Sequence, residues 1–172
     1  MLWDKGIKEY IEATKILQNR KDIIFKILGD LADNENEGIT KKNLHLHLNK
    51  TNIIYNGTSK NVRPFIQWAD CVVLPSYREG APKVFLEASA MGRVLIGSNV
   101  PGINHLIKDN YNGYLCGNKN PISLSKCILK YVELNEKNKE KMSKNSFRLA
   151  LNNFNEKLVI QIYLKKIKCL KK

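Results

Sequence analysis

Apolar positions along the chain come in short runs, and their spacing switches repeatedly between the period of a strand and that of a helix. Residues 7–17 carry Ile7, Tyr10, Ile11, Thr14, Ile16 and Leu17 at helical spacing, read together as one helix face. Five runs read as strands: 23–28, 53–55, 71–74, 94–97 and 114–116. Each is followed by glycine, proline, serine or asparagine, the residues of tight turns. An acidic loop, LADNENEG, fills 31–38, and helical stretches cover about 40–49, 61–70 and 82–91. From Pro121 onward the pattern is helical, in segments of 121–134, 137–153 and 155–170. Strands alternating with helices predict right-handed βαβ crossovers and an α/β fold, a parallel sheet with helices on both faces. The glycine pattern GxGxxG is absent, which disfavours a dinucleotide dehydrogenase.

The stretch 71–92, CVVLPSYREGAPKVFLEASAMG, organises the rest. Residues 71–74 are uninterrupted and apolar, as expected of a strand buried on both faces of a parallel sheet. Tyr77, Arg78, Glu79 and Gly80 form a turn, and Pro82 suits the first position of the helix that follows. Val84, Phe85, Ala88 and Met91 recur at helical spacing, and Gly92 suits the position past the helix end. A strand feeding a helix through a short turn sets the helix start at the carboxyl edge of the sheet, where open α/β folds bind ligands. The free N–H groups of about 81–84, with the helix dipole, then make an anion site suited to a diphosphate. Carboxylates there would repel phosphate, so Glu79 and Glu87, eight positions apart, are better suited to accept hydrogen bonds from hydroxyls. One helix of that length separates them by roughly 12 Å. A ligand with hydroxyls on both sides of a diphosphate, a nucleotide sugar, would satisfy both.

The segment LPSYREGAPKVFLEASAMGR, followed by SNVPG, resembles the C-terminal nucleotide-sugar domain of retaining GT-B glycosyltransferases of family 4, the glycosyl transferases group 1 family. The resemblance runs from LWDKG at 2–6 to Gly113-Tyr114-Leu115. It implies a Rossmann-like domain over 1–172, with its core in 1–118 and C-terminal helices in 119–172. It also implies that Glu79 is the catalytic glutamate, holding hydroxyls of the transferred sugar near the anomeric carbon. Glu87 would accept from the ribose hydroxyls, and Gly80, Ala81, Pro82 and Lys83 would surround the phosphates. The Lys83 side chain is either a phosphate contact or a solvated lysine. Lys5 matches the family's phosphate-contacting lysine, and Gly57-Thr58 the place that receives the nucleobase. Pro101-Gly102 reads as a turn device, and Arg78 as a further phosphate candidate. The donor is expected to be a UDP sugar, with no cofactor and no metal. The acceptor is expected to be a glycan or lipid-linked saccharide of bacterial surface polysaccharide synthesis.

Composition adjusts this picture. The 172 residues suffice for one domain with a sizeable core, and 43% hydrophobic content argues against disorder. No apolar run reaches the length of a membrane span, and no signal peptide is evident, so the cytoplasm is the expected location. Cys71, Cys116, Cys127 and Cys169 lie far apart and read as free thiols. Asp33, Glu35 and Glu37 read as a solvated loop, and His45 and His47 as surface residues. Net charge is +13, and residues 131–172 hold ten lysines and one arginine against four glutamates. With few arginines or aromatics interleaved, no nucleic-acid partner is expected. Peripheral attraction to an anionic membrane at its inner face, or a plain solvated helix face, accounts for the lysines.

One element is out of place. The helix at 7–17 has no strand before it, whereas the family places a central strand there, after a whole N-terminal acceptor domain. The sheet is therefore expected to lack its first strand, leaving two flanking strands with open edges and a chain prone to aggregate. A non-catalytic or truncated nucleotide-sugar-binding fragment, dependent on a separate acceptor domain, is the rival reading.

Overall fold

The computed structural model describes residues 1–49, 51–154, 160, 161 and 163–167. A 3-10 turn, Trp3–Lys5, leads into helix α1 (Ile7–Ile16), strand β1 (Lys26–Ile27) and helix α2 (Lys41–Leu48). Strand β2 (Ile54–Tyr55), helix α3 (Arg63–Trp68), strand β3 (Cys71–Leu74) and helix α4 (Lys83–Ala90) follow. Strands β4 (Val94–Ser98) and β5 (Gly113–Cys116) precede helices α5 (Pro121–Val132) and α6 (Glu136–Asn153). Ile160, Gln161 and 163–167 are helical; the remainder of the expected 155–170 helix, with Cys169, lies outside the described residues.

All ladders are parallel, but they form two sheets: β1 with β2, and β3, β4, β5 in that order. This is a Rossmann-like α/β arrangement in which no strand joins β1 to β3 among the described residues, in keeping with the strand expected to be lacking. The missing neighbour has two consequences. The strand expected over 23–28 shrinks to a two-residue ladder, bonded to β2 through Ile54 N–H to Phe25 O and Asn56 N–H to Ile27 O, both 2.9 Å. The other edge of β1 meets a side chain: the Tyr10 hydroxyl donates to Lys26 O at 3.2 Å. Correspondingly, β3 is half-buried along its length, not buried on both faces as its apolar run suggested, because it is an edge. By contrast β4, flanked by β3 and β5, is buried at every position.

Alternation along β4 divides the core by the two-residue period of a strand. Val94 and Ile96 face Ala13 of α1, Leu17 at its C-terminal cap, and Leu124 and Ile128 of α5. Leu95 faces Phe85 and Ala88 of α4, with Ile103, Leu106 and Ile107 closing that side. In α1 the buried set includes Ile11, Ala13 and Thr14, while Ile16 is 51% exposed. Five residues beyond Ile11 on a 3.6-residue helix lies well off its face, so Ile16 does not belong with the others. The helix starts are well specified: Thr40 and Asn43 form a capping box for α2, and Asn120 and Asn135 cap α5 and α6.

Candidate functional site

Because β3, β4 and β5 are parallel, the loops after β3 and β4 open at one edge of their sheet, and the motif after β3 is one of them. Pro82 turns out to be the N-cap of α4 and not its first helical residue as expected, with φ −65 and ψ 117, so the helix begins one position later at Lys83. Its carbonyl accepts from Phe85 and Leu86 N–H at 3.0 and 3.3 Å. The N–H groups of Ala81, Lys83 and Val84 find no protein acceptor among the described residues, as the first turn of a helix leaves them. They form the donor cluster that favours an anion.

Lys5 reaches this place from the other end of the chain. Its Nζ lies 2.9 Å from Glu79 Oε1, with the two side chains 37% and 13% exposed. That pairing answers the repulsion problem, since the ammonium offsets the carboxylate that borders the anion site. The approach depends on glycine at two positions. Gly6, at φ +73, lets the backbone pass so close that a Cβ would stand 2.0 Å from Pro75 O. Gly102, at φ +86, lies against the motif itself, and a Cβ there would stand 2.2 Å from Glu79 O and 2.4 Å from Gly80 O. Besides its place in the turn, Gly102 thus packs directly against the Glu79–Gly80 backbone, a contact that two turn-forming residues do not reveal by themselves.

The remaining candidates take places of their own. Glu87 sits on α4, with Lys83 Nζ at 3.6 Å as its i,i+4 partner; Lys83 is otherwise solvated, its side chain 88% exposed. A Cβ on Gly80 would meet nothing within 4 Å, so its backbone borders open space. Gly57, at φ +71, also borders open space, and Thr58 beside it is exposed. They lie at the carboxyl end of β2, tied to β1 by Gly29 N–H donating to Gly57 O at 2.8 Å. Arg78 makes no ion pair among the described residues, and Arg93 is tied to Gln67 O at 2.9 Å, away from the motif. His47 packs edge-on against Trp3 with ring centroids 5.0 Å apart. Asn34 and Asn43 hydrogen-bond Glu37 and Glu35, and no group of acids, cysteines and histidines fit to hold a metal ion occurs among the described residues. An open groove of about 970 Å³ lies elsewhere, lined by Lys41, Lys42, His45, Leu46, Leu48 and Asn49. One helix and its end supply all of these, which makes it a surface concavity with no convergent chemistry.

One contact made by the motif turn carries no signal in the sequence. The Tyr77 hydroxyl lies 2.8 Å from both carboxylate oxygens of Glu9, which is 8% exposed. Burial, then the Glu9 hydrogen bond and charge, push the Tyr77 phenol up to about 12.

With this geometry in place, comparison with known proteins is decisive. Residues 1–148 match the family model of glycosyl transferases group 1. The chain belongs to that family. It is 32% identical over 164 residues to the N,N'-diacetylbacillosaminyl-diphospho-undecaprenol alpha-1,3-N-acetylgalactosaminyltransferase of Campylobacter jejuni, covering 95% of this chain and 41% of that protein. It is 31% identical over 159 residues to the UDP-Gal:alpha-D-GlcNAc-diphosphoundecaprenol alpha-1,3-galactosyltransferase of Escherichia coli, covering 90% and 40%. The chain therefore spans about two fifths of the length of these relatives. Among solved structures, Anabaena HepE in complex with UDP superposes with a TM-score of 0.85 at 19% identity, over 96% of this chain and 45% of that one. The C-terminal domain of the group 1 glycosyl transferase LpcC from Francisella tularensis superposes with a TM-score of 0.78 at 22% identity, over 91% and 83%. These two likenesses concern the fold. Among the described residues, no helix of this group 1 chain is long and apolar enough to cross a membrane.

Proposed function

We propose that this chain is the donor half of a retaining glycosyltransferase, which moves a sugar from a nucleotide diphosphate, UDP foremost, to a lipid-linked saccharide acceptor. The observation that carries this reading is the convergence of Lys5, Glu79 and the open start of α4, 2.9 Å bridging the first two. The N–H groups of 81–84 and Lys5 would receive the diphosphate, Glu79 the sugar hydroxyls, and Glu87 the ribose. Gly57 and Thr58 would border the base, and the open space at Gly80 leaves room for the ligand. Catalysis would rest on positioning and on stabilising charge as the diphosphate departs, with no metal and no cofactor required. The acceptor class is suggested by the two diphospho-undecaprenol transferases, and the UDP donor by HepE, which has been solved with UDP and with UDP-glucose. An acceptor domain outside this chain would complete the cleft. The lysine-rich C-terminal tail would add peripheral attraction to an anionic membrane at its cytoplasmic face.

Calorimetry with UDP, GDP and their sugars tests the assignment on the wild type and Glu87→Ala. Glu87→Ala is expected to weaken nucleotide binding about tenfold or more, as loss of hydrogen bonds to a charged acceptor does. Equal affinity of the two proteins would remove the ribose role. A second reading is favoured by the divided sheet: a nucleotide-sugar-binding unit that binds the donor but transfers nothing without an acceptor domain. It predicts donor binding by the chain alone with no transfer until an acceptor domain is supplied.

A further inference from the structure

The Lys5–Glu79 pair joins two short irregular segments that are distant in sequence, and something must hold them in register. Backbone contacts do part of this. Tyr77 N–H donates to Asp4 O at 2.8 Å, and Ser76 Oγ lies 3.1 Å from Asp4 O and 3.2 Å from Arg78 O, with one proton to give. The side-chain tie is less expected. Glu9, on the first turn of α1 directly after the Lys5 turn, is 8% exposed, and its only hydrogen-bond donor among the described residues is the Tyr77 hydroxyl. Burying a carboxylate with one donor is costly, and an apolar pair of similar volume would fill the space more cheaply. What the polar pair supplies is direction: a charged acceptor fixes the hydroxyl, and with it the turn that carries Glu79 two residues on. Lys119 covers the ring from outside, its Nζ 4.7 Å from the centroid.

We propose that Tyr77 is a positioning residue, gripped by the buried Glu9 carboxylate so that the Lys5 and Glu79 turns stand in register for the diphosphate sugar. The inference rests on the donor-site reading above and adds to it residues that touch no part of the ligand. If the grip is lost, the turns sample other registers, and the apparent affinity falls by the fraction of time the competent one is held. The loss must be confined to ligands that reach these two turns, through a diphosphate at Lys5 or a sugar at Glu79. A bare nucleoside, held at Glu87 and at the end of β2, does not depend on that register.

The test titrates the full chain with UDP and GDP, each beside its bare nucleoside, with melting temperatures recorded in parallel. Tyr77→Phe, which removes one oxygen, is expected to bind the diphosphate about tenfold more weakly and the nucleoside within about twofold of wild type. Glu9→Gln keeps an acceptor for the hydroxyl and is expected to stay within about twofold for both ligands. Should Tyr77→Phe fail to fold because Glu9 is orphaned, the double variant Tyr77→Phe/Glu9→Leu removes both polar partners and must show the same selective loss. Wild-type protein that ignores both diphosphates would overturn the donor-site reading and this inference with it. Wild-type binding with an unchanged diphosphate affinity in Tyr77→Phe, or an equal loss for the nucleoside, would overturn the positioning role alone.

Discussion

The two sheets of this chain are made from similar apolar strands, yet one is consolidated and the other is not. In β3-β4-β5 the central strand is buried at all five positions and carries a core on each face. In the β1-β2 pair each strand contributes two ladder residues, and Ile54 is 47% exposed. The difference lies in neighbours more than in composition. A parallel strand gains its stability from ladders on both edges and helices on both faces, and an isolated two-stranded pair is marginal in water. The motif loop hangs from the consolidated sheet, whereas Gly57 and Thr58 hang from the weak one. Within the candidate site, the residues proposed for the phosphates are therefore built on firmer ground than those proposed for the base.

That contrast can be broken or sharpened by experiment. Phe85, fully buried behind the motif, anchors the firm side, and Phe85→Ala is expected to cost about 3–5 kcal/mol in chemical denaturation. A loss below about 1 kcal/mol would deny that this sheet carries the fold. Gly102→Ala forces a side chain into a left-handed backbone and against Glu79 O, so a loss of about 1–3 kcal/mol is expected, together with weaker nucleotide binding. Gly80→Ala, facing open space, should leave the melting temperature unchanged while weakening the diphosphate sugar; unaltered binding would mean that no ligand approaches there. On the weak side, Ile54→Ala should fall within about 0.5 kcal/mol, and β1 and β2 amides should exchange far faster than those of β4. The whole chain by itself is expected to be marginal, and a cooperative melt near about 60 °C would count against the comparison.

The smallest expected effect is a pH dependence. The Tyr77 phenol is raised in the folded state from 10.0 to about 12, so its contribution to stability is fully present below pH 10 and is lost as pH rises through 12. Stability of the wild type should fall faster than that of Tyr77→Phe across that interval. Parallel curves would show that the hydroxyl is not held as described.

Most of the alternation of strands and helices was legible from periodicity, and the motif helix was placed to within one residue. Boundaries failed where a neighbour was decisive. A run such as 23–28 has strand chemistry throughout, but only residues with a ladder partner become strand. Ile16 joined the wrong face because a list of apolar positions is not yet a helical wheel. At the candidate site, Glu79, Gly80 and Glu87 could be singled out as candidates from the spacing of one turn and the helix after it. The Glu9–Tyr77 grip could not, since a glutamate on a helix and a tyrosine in a turn have no local reason to meet.

The sequence by itself determined the local elements, the glycines that permit close backbone passage, and a helix start primed for an anion. These follow from backbone sterics and hydrogen-bonding capacity, which act over a few residues. Only the tertiary structure decided that Lys5 meets Glu79, that Gly102 packs against the motif, and that the sheet falls into two parts. Those outcomes depend on which strand lies beside which, and pairing between segments far apart along the chain is set by the packing of the whole domain.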